Sequence, residues 1–198
     1  YQVAFTKFST YLTQTNNQDS VIAFNCGVCA DKIKKPADAL KYFDIAVQKK
    51  YNLANAYIGK AGALKDLKKN DEYVATLKEG LEAVPGNKTL TKLYATFYVN
   101  QGIMAQKAKK NSDAEEAFKQ ALTIQPNNIN ALNSLGTLSY SQGAALLKTD
   151  ADKAKEEFKQ AKECLDKLLP LLSADKPAQK KMKDNANTML TFINSQLQ

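Results

Sequence analysis

Residues Ala54–Asn87 read ANAYIGKAGALKDLKKNDEYVATLKEGLEAVPGN, a stretch of 34 residues. Tyr57, Ala61 and Leu64 recur at i, i+4, i+7, and Tyr73, Leu77 and Gly80 repeat that spacing. Each set lies on one face of an α-helix. The polar run Lys68–Asp71 separates the sets and Pro85 closes the stretch. The pattern predicts two amphipathic helices joined by a short turn.

The same pattern recurs along the chain. One period earlier, in Ser20–Leu53, Gly27 and Ala30 occupy the slots of Ala61 and Leu64. Ala39, Phe43 and Ala46 occupy those of Tyr73, Leu77 and Gly80, and Tyr51 stands at the closing proline. The closing proline returns at Pro126, 41 residues after Pro85, so this unit is seven residues longer. Its second helix aligns through Ala114, Phe118 and Ala121, and the end of its first through Tyr98, Gly102 and Ala105. The seven extra residues therefore fall near Lys88–Tyr94, where about two helical turns lengthen the first helix without much rotation of its face. A fourth unit opens at Ile129, with Leu132, Leu135 and Gly136 in the first helix and Ala154, Phe158 and Ala161 in the second. Six extra residues around Gly143–Asp150 either extend that first helix or form a loop.

Small residues at recurring slots let two backbones approach, and Phe43, Leu77, Phe118 and Phe158 fill the space between units. Ser112-x-x-Glu115 reads as a capping box opening the second helix of the third unit. The matches at Ala114, Phe118, Ala121 and Pro126, with Leu132, Leu135 and Gly136, resemble the tetratricopeptide repeat (TPR) family over about Ser20–Leu169. The chain departs from that family's signature in having no Trp, Tyr51 in place of Pro, and longer helices in units three and four. The resemblance implies an all-α fold, a right-handed α-α superhelix of antiparallel helix pairs. It implies one domain over 1–198: an N-terminal helix at 1–17, repeats at 20–53, 54–87, 88–128 and 129–170, and a capping helix at 177–198.

A stack of repeats leaves an apolar face at each end, so caps are expected. Phe5, Phe8 and Leu12 fall at i, i+3, i+7 and read as one further helix. Met182, Ala186, Met189, Ile193 and Leu197 form one stripe behind Pro177. That stripe either caps the last repeat, docks on a partner or membrane surface, or supports a homodimer through Met189, Ile193 and Leu197.

Composition excludes more chemistry than it suggests. The 198 residues, 21.8 kDa, are 44% hydrophobic and 24% charged, as expected for one folded domain. No apolar run approaches the roughly 20 residues of a membrane span; Ala144–Leu147 is typical. There is no His, Trp or Arg, which removes Ser-His-Asp triads, Cys-His dyads and imidazole metal sites. All 28 basic residues are Lys against 20 acids, a net charge of +8. Lysine lacks the planar fork that reads guanine and phosphate, so no specific nucleic-acid readout is expected. Cys26-Gly27-Val28-Cys29 falls mid-helix and Cys164 is remote in sequence, so neither a redox motif nor a zinc site is expected. No paired carboxylates stand in an apolar setting suited to acid–base catalysis. A non-enzymatic protein with no cofactor and no metal is the expectation. The chain opens at Tyr1 without an initiator Met or a signal-like segment. That opening, with a resemblance to exported bacterial repeat proteins, favours a periplasmic or cell-envelope location over a cytoplasmic one.

Two surfaces are candidates for binding. Lys32, Lys34 and Lys35 end the first helix of unit one, Lys65, Lys68 and Lys69 that of unit two, and Lys107, Lys109 and Lys110 that of unit three. Cations at helix C-termini are favourable in themselves, and a basic rim would also guide an acidic partner. The family resemblance implies a concave wall made by the first helices. Its slots here hold Val21, Phe24, Asn25 and Val28, then Asn55 and Ile58, then Val99, Asn100 and Ile103, then Asn130, Asn133, Thr137 and Tyr140. Asparagine both donates and accepts, which suits an extended peptide backbone of any sequence. The family's clamp for chain-terminal carboxylates uses Lys, Asn and Arg, and Phe24, Val28 and Gly59 stand at three of those slots instead. The leading expectation is a protein-interaction scaffold holding a peptide segment or helix of a partner in its groove. The alternative is a structural spacer or self-assembly module of a larger cell-envelope protein.

Overall fold

The computed structural model describes residues 1–198 and contains ten α-helices, one 3-10 turn and no strand. The chain divides into two compact units, Tyr1–Tyr94 and Ala95–Gln198. The first holds α1 (Gln2–Gln14), α2 (Ser20–Lys32), α3 (Pro36–Gln48), α4 (Leu53–Asp66), α5 (Asn70–Ala83) and the start of α6 (Lys88–Lys107). The second holds the rest of α6, then α7 (Asn111–Ile124), α8 (Ile129–Leu146), α9 (Ala151–Leu168) and α10 (Pro177–Leu197).

In the first unit each helix packs on its successor from α1 to α5, and α2 also touches α4. Its core joins Phe5 and Leu12 of α1 to Ala23, Cys26 and Ala30 of α2 and to Ala39, Tyr42 and Phe43 of α3. α1 thus caps the first helix pair, and the Phe5 and Tyr42 rings pack edge-to-face with their centroids 6.2 Å apart. Tyr51, which stands where a proline was expected, sets its ring edge-on to Phe24 at 5.8 Å.

The turns inside the repeats share one construction. Lys34, Lys68 and Lys109 adopt φ of 59°, 60° and 60°. The next amide in each, of Lys35, Lys69 and Lys110, donates to the carbonyl five residues back, at Ala30, Leu64 and Ala105. Lys34, Lys68 and Lys109 donate to Asp31, Lys65 and Gln106. This is the Schellman stop, with lysine at the left-handed position that favours glycine. We therefore expect Lys68→Gly to raise stability by about 0.5–1 kcal/mol, read as a higher urea midpoint at unchanged slope.

The second unit is stacked the same way, with α7 on α8, α8 on α9, and α10 on both α8 and α9. Glycines fix the pairing of α8 with α9. A Cβ on Gly136 would meet Leu165, and one on Gly143 would meet Phe158, so the helices run antiparallel. The six extra residues of the fourth repeat extend α8 to Leu146, leaving a four-residue connection to α9. The seven of the third repeat become the first turns of α6, capped by Asn87 Oδ1, which accepts from the amides of Thr89 and Leu90. The expected capping box at Ser112 is not formed. α7 begins one residue earlier, at Asn111, and Glu115 turns instead toward Lys119 and Gln160. The α10 stripe is absorbed into the unit: Ala186 and Ile193 are fully buried, and Met182, Met189 and Leu197 pack partly buried on the same core. Of the residues expected at a homodimer seam, Ile193 is thus buried inside the unit, while Met189 and Leu197 stay half-buried.

Candidate functional site

The first helices carry the candidate groove residues to different depths. In the first unit Val21 is 43% exposed, Asn25 and Asn55 are exposed, and Val28 and Ile58 are half-buried. Phe24 is half-buried and anchored edge-on to Phe43 at 5.7 Å. Asn55 Nδ2 donates to Asn52 Oδ1 at 3.0 Å, at the mouth of α4. Because α2 touches α4, these residues lie on neighbouring helices. In the second unit Asn100 and Asn130 are exposed, and Ile103, Asn133, Thr137 and Tyr140 are half-buried. Val99 departs from the expected wall. It is 4% exposed and packs with Ala121 and Ala131, so it supports the unit from within and offers no surface.

All nine rim lysines are exposed. Lys69 pairs with Glu72 at 2.9 Å, Lys110 with Asp113 at 4.0 Å, and Lys35 Nζ sits 4.9 Å over the Phe5 ring. These are solvated contacts worth little each.

The cysteines are buried and unpaired. Burial pushes the Cys26 thiol up to about 11, and its Sγ lies 3.9 Å from the Phe5 carbonyl. Burial likewise raises Cys164 to about 11. A thiol so far from ionisation is a poor nucleophile, and these cysteines serve packing.

A polar layer lies between α7, α8 and α9. Gln160 Nε2 donates to Glu115 Oε1 at 3.0 Å and to Ser139 Oγ at 2.6 Å, and Ser139 is wholly buried. Burial pushes the Glu115 carboxyl up, but hydrogen bonds from Lys119 and Gln160 outweigh it and hold it below the ordinary value. Glu157 goes the other way: burial raises it, the Ser139 hydroxyl opposes, and the Glu115 charge raises it further. Glu157 Oε2 and Gln142 Oε1 are buried without a partner. A carboxyl raised in the folded state favours folding when protonated, so that stability is lost as pH climbs from 4.5 through the folded value. We expect Glu157→Gln to remove that dependence and to raise stability at neutral pH, in urea titrations across a pH series. Ser139 in an otherwise apolar α8 slot, opposite Gln160, was the signal that could have marked this layer.

Beside this layer a cleft of about 350 Å³ opens between α7 and α9, floored by Leu132 and Leu135 of α8. Its cations are already engaged, Lys119 with Glu115 at 2.6 Å and Lys167 with Glu163 at 2.7 Å. No helix is long and apolar enough to cross a membrane.

Among solved structures the chain is similar to a TPR repeats protein from Bacteroides fragilis NCTC 9343. The two share 46% identity over 96% of this chain and 91% of that one, with a TM-score of 0.76. More distantly it is similar to MamA, at 21% identity over 82% and 87% of the chains and a TM-score of 0.42. It is also similar to YrrB, described as a TPR protein with an unusual peptide-binding site, at 17% identity over 96% and 91% and a TM-score of 0.42. No protein-family model matches the chain. No curated protein matches it either. With helix pairs stacked in both units and close to half of its residues shared with the B. fragilis protein, the chain belongs to the tetratricopeptide repeat family.

Proposed function

We propose that the chain is a non-catalytic protein-interaction scaffold whose first helices bind a peptide segment of a partner. Family membership supports a protein–protein interaction scaffold in general. One observation carries the finer reading: each of the four first helices exposes an asparagine, Asn25 on α2, Asn55 on α4, Asn100 on α6 and Asn130 on α8. A carboxamide can pair with both the N–H and the C=O of an extended strand, so the asparagines within each unit, Asn25 and Asn55 in the first and Asn100 and Asn130 in the second, suit holding backbone without fixing sequence. Half-buried Val28, Ile58, Ile103 and Tyr140 stand near them to shelter side chains.

The lysine turns add a second element. The chain keeps lysine at four left-handed positions where glycine is easier, three of them, Lys34, Lys68 and Lys109, in the rim, and that charge supports steering of an acidic partner. Steering shows in the association rate, which falls steeply as salt rises from about 0.05 to 0.5 M while dissociation changes little. A salt-insensitive rate would remove the rim from the account.

The test is affinity capture from the native source with the wild-type chain and with Asn25, Asn100 and Asn133 replaced by Ala. Loss of the same partner from the triple variant is expected. An unchanged catch would move the site off the first helices. The alternative, a spacer or self-assembly module, would have to use what Met189 and Leu197 leave accessible, since Ile193 is buried in its own unit.

A further inference from the structure

We propose that in the second unit the exposed face of α8 and α10 takes an uncharged peptide segment through an aromatic side chain seated against Tyr140 and Phe192. This rests on the scaffold reading above and adds the chemistry of the segment.

Three observations meet on this face. First, α8 holds no Lys, Asp or Glu in its 18 residues, in a chain that is 24% charged. Its accessible side includes Asn130, Asn133 and Thr137, which offer hydrogen bonds and no counter-ion. The charged residues of α10, Lys180, Lys181, Lys183 and Asp184, all lie eight or more residues before Phe192, so a charged residue laid along α8 beside that ring would lose hydration with no counter-ion on the helix, and this part of the face favours a neutral segment. Second, Phe192 is 36% exposed, and it is the one phenylalanine that open to solvent. Its exposure does nothing for the cap, because α10 already docks through Ala186, Leu190 and Ile193. Third, the ring has a prepared setting. Phe192 meets Tyr140 edge-on at 5.8 Å and 79°, and both rest on Phe158, at 5.9 Å and 6.2 Å. Phe158 is fully buried, and Gly143 gives it room, since a Cβ there would come within 2.8 Å of the ring.

The trio is therefore a fixed platform, not a loose side chain. Edge-to-face packing leaves ring faces and edges free for one more aromatic group, the contact such clusters favour beyond simple area. The neutral polar residues of α8 then hold the backbone on the N-terminal side of that anchor.

The experiment pans a random-peptide phage library against the full chain and measures the selected synthetic peptide by fluorescence anisotropy. Selected peptides should share one aromatic residue flanked by uncharged ones. Phe192→Ala should weaken the peptide about tenfold or more. Replacing the peptide's own aromatic by Ala should cost the same, with no further loss when both changes are combined. Phe192→Leu, which keeps apolar bulk and the packing of α10, should recover part of the affinity, and an unchanged thermal midpoint shows that the fold is intact. Peptides that lose affinity in Asn133→Ala yet bind Phe192→Ala at full strength would overturn this inference and leave the scaffold reading standing. Peptides indifferent to both variants, or a library that yields no binder, would count against both.

Discussion

Phe118→Ala should lower the unfolding free energy by about 3–5 kcal/mol, the usual cost of deleting a fully buried aromatic ring. Phe118 has no exposed surface and sits in the core cluster with Ala114, Leu132 and Leu135. Its ring also lies against Gly102 of α6. It thereby ties the second helix of one repeat to its own first helix and to the next repeat. Neighbouring helices cannot collapse far into the vacated space without breaking their own pairing, so most of the cavity persists and the cost stays near the upper range. Urea unfolding followed by circular dichroism measures it, and a loss under about 1 kcal/mol would show that Phe118 is no keystone.

The second large effect comes from one methyl group. A Cβ on Gly102 would fall 2.5 Å from the Phe118 ring, well inside van der Waals contact, and the ring cannot move away. Gly62 of α4 provides the control, since nothing lies within 4 Å of its absent Cβ. Both substitutions by Ala gain about 1 kcal/mol of helix propensity. Gly62→Ala should keep that gain. Gly102→Ala should lose it to overpacking and end about 1–2 kcal/mol less stable than wild type. In the Phe118→Ala background the obstruction is gone, so Gly102→Ala should turn stabilising. A destabilisation that persists in that background would mean the glycine serves something other than the ring.

These two positions also show why the fold could be read in advance. Spacing at i, i+4, i+7 locates a helix face, and a 34-residue period locates its partner, because both are local in sequence. That arithmetic places Gly102 and Phe118 on the two helices of the third unit and Phe118 between units; the close contact of the ring with Gly102 is seen only in the structure. Helix length was less legible. The added residues of the fourth repeat fit a loop or a longer helix equally well, and only packing against α9 decides for helix. Ser112 shows the limit of a motif. Its spacing to Glu115 is right for a cap, but Glu115 finds better partners in Lys119 and in Gln160, 45 residues away. Contacts of that range leave no periodic trace.

The binding surface was legible only as slots. Slot arithmetic puts Val99 on the wall, whereas it is buried beside Ala121 and Ala131. Asn25, Asn55, Asn100 and Asn130 do reach solvent. Phe192 lies just off the apolar stripe of α10, and a ring there carries no repeat signal.

The most direct measurement is a heteronuclear NMR titration of the full chain with the captured partner segment, following the side-chain amide resonances of asparagine. On binding, the carboxamides of at least one unit, Asn25 and Asn55 of the first or Asn100, Asn130 and Asn133 of the second, should shift in company with backbone amides of the first helices that carry them. Shifts confined to α3, α5, α7 and α9, with those five carboxamides unmoved, would contradict it.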